Sequence, residues 1–121
     1  MNENQPLPHA DKAEIPTDKL TKYSLNYNKS KDKATAFFLA LGFTLDNYPE
    51  LIEQVRKKLP LYKSVYRGKS EYGDRYQVIM TISGINGKQA EVLTAWIIEN
   101  GKQYPVMTNI YVTNKKGTKL C

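Results

Sequence analysis

Lys33, Arg75, Thr94, Thr108 and Tyr111 are side chains whose types and spacing suit the handling of a phosphodiester. Lys33 falls in the first turn of a helix signalled by "KSKDKATAFFLALGF", residues 29–43. Unpaired N–H groups and the positive end of the macrodipole favour an anion there, and a lysine adds a mobile point charge. The same dipole disfavours a cation by roughly 0.3–1 kcal/mol. Lys33 is thus either poised for a phosphate or a solvated lysine whose stem covers Phe37. Lys29 and Lys31 crowd the same end, where only Asp32 has the sign the dipole favours.

Arg75 lies in "EYGDRYQ" (71–77) with Tyr72 and Tyr76 beside it, a combination able to clamp a phosphate and stack on a base, or else a turn with surface aromatics. If Val92 and Ile98 face one side of a strand, Thr94 and Trp96 share that side; on the next strand Thr108 alternates with Asn109 and Tyr111. Thr94 is a polar candidate or simply a β-former, and Trp96 a stacking platform or a core anchor. His9, the one histidine, could serve as general acid or base, although it follows Pro6 and Pro8 in a segment that reads as a loose arm.

These residues need elements to hold them. Ala34, Phe37, Phe38 and Leu41 recur at helical spacing, with Gly42 as the stop. "IPTDKLTKYSL" predicts a shorter helix with Thr17 as N-cap and Leu20, Tyr23 and Leu25 inward. "DNYPELIEQVRKKLP" predicts a third, capped by Asp46 or Asn47, with Pro49 in its first turn, Pro60 at its end and Ile52, Val55 and Leu59 as its apolar stripe. The period then changes. "YQVIMTIS" (76–83), "QAEVLTAWII" (89–98) and "PVMTNIYVT" (105–113) read as strands separated by Asn-Gly turns, and "LYKSVYR" (61–67) as a fourth. Helices first and sheet second predict an α+β fold, about three N-terminal helices packed on a three- to four-stranded antiparallel β-meander.

Length and charge narrow the class. The 121 residues suit one domain, read as a flexible arm or linker over 1–9 and a single domain over 10–121. The formal charge of +6 favours a polyanionic or acidic partner. One cysteine, Cys121, gives no internal disulfide, and one His with one Cys gives no zinc site of the usual spacing; the expectation is no metal and no cofactor. No apolar run is long enough to span a bilayer and "MNENQPLPHADK" lacks signal-peptide regions, so no membrane role is expected.

The stretches "LPHADKAEIPTDKLTKYSLN", "KATAFFLALGF", "YGDRYQV", "ISGINGKQAEVLTAWII" and "YPVMTNIYV" resemble a domain of unknown function found in small bacterial proteins and at the C-termini of polymorphic toxins, including contact-dependent growth-inhibition effectors. The similarity runs over roughly residues 6–113. It implies the superfold shared by barnase-like, EndoU-like, colicin-like and RelE-like ribonucleases, whose exposed sheet face holds the active site. The motif positions carried over are Lys33, Thr94, Trp96, Thr108, Arg75 and Tyr111. Relatives often carry Asn where this chain has His9, and a His-and-Gly stretch where it has "NKSKD".

The resemblance thus implies a metal-independent endoribonuclease toxin domain directed at tRNA, with an acidic cognate immunity protein. Its place of action would be the cytoplasm of a target bacterium, after delivery within a larger exported effector. Lys33 and Arg75 would stabilise the phosphate, Thr94 and Thr108 position it, and His9 or, without it, Tyr111 or a lysine of lowered pKa would move the proton. Trp96, Tyr72 and Lys31 would bind RNA. The opposing readings are a non-enzymatic RNA- or protein-binding module and a nucleotide transferase using Glu91, the one glutamate inside the strands as read from sequence.

Overall fold

A computed structural model describes residues 5–120. Its frame is one antiparallel sheet of four strands, β1 (Ser64–Ser70), β2 (Gly73–Ser83), β3 (Gln89–Glu99) and β4 (Val106–Thr113), paired in the order β1-β2-β3-β4. The meander follows from its turns. Gly87 at φ 82° and Gly101 at φ 83° occupy the left-handed region that each Asn-Gly pair supplies. β2 and β3 pair without interruption from Gly73↔Glu99 to Ser83↔Gln89. That register puts Val78, Met80 and Ile82 on the same side as Val92, Thr94 and Trp96, all buried.

Two α-helices close that side. α1 (Lys31–Leu41) buries Ala34, Phe37 and Leu41, and ends at Gly42, whose φ of 78° lets its N–H return to the Phe38 carbonyl. Phe38, expected in the buried stripe, points outward and is 57% exposed, because the contact surface is narrower than the apolar face of the helix. α2 (Tyr48–Lys58) starts with Pro49 and ends with three cations, as the dipole prefers. Its buried residues are Leu51 and Val55, followed by Leu59. Ile52 only flanks the core, so the inward face is rotated toward Leu51 from the expected stripe. Asn47 stands at the N-cap position, but its amide joins the Thr44 N–H to the Gly42 carbonyl instead of capping the helix.

The first predicted helix is a turn of π-helix over Leu20–Ser24, with Leu20 and Leu25 inward and Tyr23 exposed, the reverse of the expectation for Tyr23. The buried Ser24 hydroxyl donates to the Ile110 carbonyl at 2.6 Å and pegs this turn to β4. The fold is therefore α+β, with α1, α2 and the Leu20–Ser24 turn packed on one face of an antiparallel meander.

The segment expected as a loose arm differs from that reading. Residues 1–4 lie outside the described residues, but Leu7 is in the core at 2% exposure and the Gln5 carbonyl accepts from the Ser64 N–H. An apolar side chain between two prolines has found a site in the core, which composition alone does not reveal. Further on, Glu14 bridges in parallel to Val106 and shields one end of the β4 edge.

Among the described residues the other face of the sheet carries no helix. Beyond the end of β1, α2 covers the free edge of β2: Gln54 pairs both ways with the Ser83 backbone and Lys58 Nζ donates to the Thr81 carbonyl. The C-terminal segment then crosses the helix-free face as a strap. Gly117 N–H donates to Glu91 on β3, Lys63 N–H donates to Thr118, and Leu120 N–H donates to Leu61. Gly117 is needed for this approach, since a Cβ there would stand 1.7 Å from the Ile79 carbonyl oxygen.

Candidate nucleic-acid interface

Strand alternation places Arg75, Gln77 and Ile79 of β2, Glu91, Leu93, Ala95 and Ile97 of β3, and Tyr111 of β4 on the helix-free side. The strap covers the end of this face near Ile79 and Glu91, while Arg75, Gln77, Ala95 and Tyr111 stay partly exposed on it.

Lys33 meets this face at its β4 rim. The helix packs against β4, and its first turn carries the lysine to the strand edge. Lys33 Nζ donates to Asn109 Oδ1 at 2.9 Å and stands 5.6 Å from the centroid of the Tyr111 ring. The ring face attracts the cation, and the amide oxygen fixes its position. Asn109 Oδ1 also accepts the Ile110 N–H at 2.9 Å, so it is held by the backbone as well. Beside them a shallow cavity of about 240 Å³ is lined by Asp32, Lys33, Ala36, Tyr111 and Val112.

Arg75 shares the face but not the rim. It pairs with Ile97, which pairs with Val106, so it lies two strand spacings, about 10 Å, inside the β4 edge. Thr108 is the extra residue of a β-bulge, between the pairs Asn109↔Ala95 and Met107↔Trp96. Lys31 stands at the start of the helix with Nζ 5.8 Å over the Tyr27 ring. Tyr72 is exposed at the β1–β2 turn, its carbonyl accepting the Asn100 N–H, at the end of the sheet away from Lys33.

Thr94 and Trp96 do not reach the site. Both are buried on the helix side, where Trp96 Nε1–H donates to Thr94 Oγ1 at 2.8 Å and Thr94 Oγ1 donates to the Val78 carbonyl at 2.8 Å. They form a satisfied polar chain in the core, and neither position, as Thr94 for catalysis or Trp96 for RNA stacking, is open to a ligand. His9 is exposed in a left-handed conformation at φ 55° before the turn Ala10–Lys12, which packs against Leu59–Leu61. No hydrogen bond joins its ring to Lys33 or Arg75.

Glu91 is occupied as well. Its two carboxylate oxygens accept from Thr81 Oγ1 and Gly117 N–H, a latch for the strap. Asn109 and the strap were the parts not singled out from sequence. The available signals were an Asn inside a strand, where that residue is disfavoured, and a Gly within the lysine-rich stretch after the last strand.

A second polar cluster sits on β1 and β2. Tyr66 hydroxyl donates to Asp74 Oδ1 at 2.8 Å, and the Tyr66 and Tyr76 rings meet edge to face at 5.3 Å. The hydrogen bond to Asp74, then burial, then the Asp74 charge push the Tyr66 phenol above its ordinary value. Burial first and the Asp74 charge second raise Tyr76. Among the described residues no group of three or more His, Cys, Asp or Glu gathers as metal ligands, and no helix is long and apolar enough to cross a membrane.

No curated protein and no solved structure gives a significant match to the chain. Residues 6–114 match the family described as "Domain of unknown function (DUF6883)". With that match extending over nearly all of its length, the chain belongs to the DUF6883 family.

Proposed function

We propose that this domain is a metal-independent endoribonuclease of the toxin type, acting on tRNA along the helix-free face of its sheet. The observation that carries the reading is the Lys33 ammonium, held at 2.9 Å from Asn109 and over the Tyr111 ring at the β4 rim of the helix-free face. A cation kept at a helix N-terminus against the dipole is compensated when an anion binds there. The chain's charge of +6 favours a polyanion in general, and Arg75 supplies a second, bidentate contact on the same face.

In the proposed reaction the ribose 2′-oxygen attacks phosphorus and the bond to the 5′-oxygen breaks. The 2′-hydroxyl proton leaves to a base, the 5′-oxygen gains a proton, and the products are a 2′,3′-cyclic phosphate and a 5′-hydroxyl. Lys33 stabilises the charge on the non-bridging oxygens, and Arg75 holds the neighbouring phosphate. Tyr111, whose ring lies under Lys33, supplies a hydroxyl for proton transfer. An acidic immunity protein covering the same face would associate quickly through complementary charge.

A second reading is an RNA-binding module without cleavage. It is favoured by the burial of Thr94 and Trp96 and by the lack of a hydrogen bond from His9 to Lys33, which leave the cation without an assembled proton relay. Incubation of purified protein with tRNA in EDTA, beside Lys33→Ala, decides between them. Fragments ending in cyclic phosphate from the wild type alone support the ribonuclease; bound but intact tRNA supports the module.

A further inference from the structure

A groove lies on the opposite flank of α1 from Lys33. It has a volume of about 710 Å³, a size that suits a small ligand. Leu25, Phe43 and Ala34 are buried in its floor, while Tyr27 and Phe38 stand at its walls more than half exposed. Thr35, Asn28 and Asp46 supply polar edges. Two exposed aromatic rings lining one groove with a few hydrogen-bonding groups suit a planar, polar-edged ligand.

The surrounding charge says which. Lys31 Nζ sits 5.8 Å over the Tyr27 ring, and Lys29 is two residues from Tyr27 in the adjoining loop. The groove and the Lys33 cavity share one helix: Ala34, Thr35 and Phe38 line the former, while Asp32, Lys33 and Ala36 line the latter. The lysines that oppose the macrodipole thus flank the route from one site to the other around the helix N-terminus.

We infer that this groove is the base-recognition subsite of the RNA-binding surface, taking one unpaired nucleobase between Tyr27 and Phe38 while the strand's phosphates follow Lys31 to Lys33. The inference rests on the RNA reading above and adds its substrate class: single-stranded or loop RNA whose bases can be splayed out. Base stacking on aromatic rings is strong and sequence-tolerant. Thr35 and Asp46 at the polar edges would supply what discrimination there is.

The test is fluorescence anisotropy with a labelled single-stranded oligoribonucleotide, 2′-O-methylated to block cleavage, and the same strand carrying abasic residues. Wild type, Thr35→Trp, which fills the groove, and Phe38→Ala, which removes an exposed ring, are compared after thermal melting confirms their fold. Both variants are expected to bind the base-bearing strand about tenfold or more weakly, with all proteins alike on the abasic strand. If Thr35→Trp does not fold, Phe38→Ala decides. Wild-type affinity in the groove variants would overturn the subsite while leaving the Lys33 reading standing, and would assign the groove to another occupant, such as a protein partner. Failure of the wild type to bind either strand would overturn the RNA reading and the subsite with it.

Discussion

Lys33 and Asn109, separated by 76 positions in sequence, are joined by a 2.9 Å hydrogen bond across the seam of α1 and β4. The bond turns a helix-terminal lysine into a fixed cation at a sheet edge. It also explains how the charge is tolerated there, since the amide oxygen and the Tyr111 ring offset the unfavourable dipole.

Asn109→Ala keeps the Lys33 charge and removes its anchor. A hydrogen bond of this type is worth about 0.5–1.5 kcal/mol, so affinity for tRNA is expected to fall about 3- to 10-fold. Titration of labelled tRNA measures it. Unchanged affinity would mean that the anchoring of Lys33 has no bearing on binding.

Thr94→Val tests the assignment of Thr94 to the core. The substitution keeps the shape but leaves Trp96 Nε1–H without its acceptor, at a cost of about 1–3 kcal/mol by denaturant unfolding. Activity per folded molecule stays at the wild-type level. A stable Thr94→Val protein with lost activity would return Thr94 to the site.

Gly117→Ala forces a Cβ against the Ile79 carbonyl and should lift the strap, at about 1–3 kcal/mol. Glu91→Gln keeps the size of the latch and weakens its bond to the Gly117 N–H, at about 1 kcal/mol. Hydrogen exchange at Gly117 and Leu120 should rise in both variants while the helical core stays protected. Unaltered protection would show that the strap is held by other contacts.

Tyr66 carries a pH prediction. Its phenol is raised by the hydrogen bond to Asp74, so above about pH 10 the unfolded chain loses this proton first. The stability linked to Tyr66 is therefore complete below that pH and is lost as pH rises through the folded value. A difference titration of phenolate absorbance between wild type and Tyr66→Phe should place the Tyr66 transition above 10, and Asp74→Asn should bring it down. A Tyr66 transition at its ordinary pH would contradict the Asp74 contact.

The meander was legible in the sequence because each local signal agreed with the next. Asn-Gly pairs sat between β-branched runs, and Gly73 to Ser83 and Gln89 to Glu99 pair without a bulge. Alternation also grouped Val92, Thr94 and Trp96 correctly on one face. It could not say which face the helices cover, since that depends on contacts between distant elements, and so two core residues read as site candidates. Phe38 and Leu51 show the same limit: an apolar stripe wider than the contact leaves its exact facing to packing. The roles of Leu7, Asn109 and Gly117 lay beyond local sequence signals for a related reason, since each acquires its role from a partner far along the chain.

The most direct measurement is the salt dependence of tRNA binding by wild type and Lys33→Ala, at constant pH and in EDTA. A lysine that meets a phosphate releases a counterion, so the variant should bind more weakly and its slope of log affinity against log salt should be smaller by about one. A slope identical to wild type would show that Lys33 meets no phosphate, and the site would have to be sought elsewhere on the molecule.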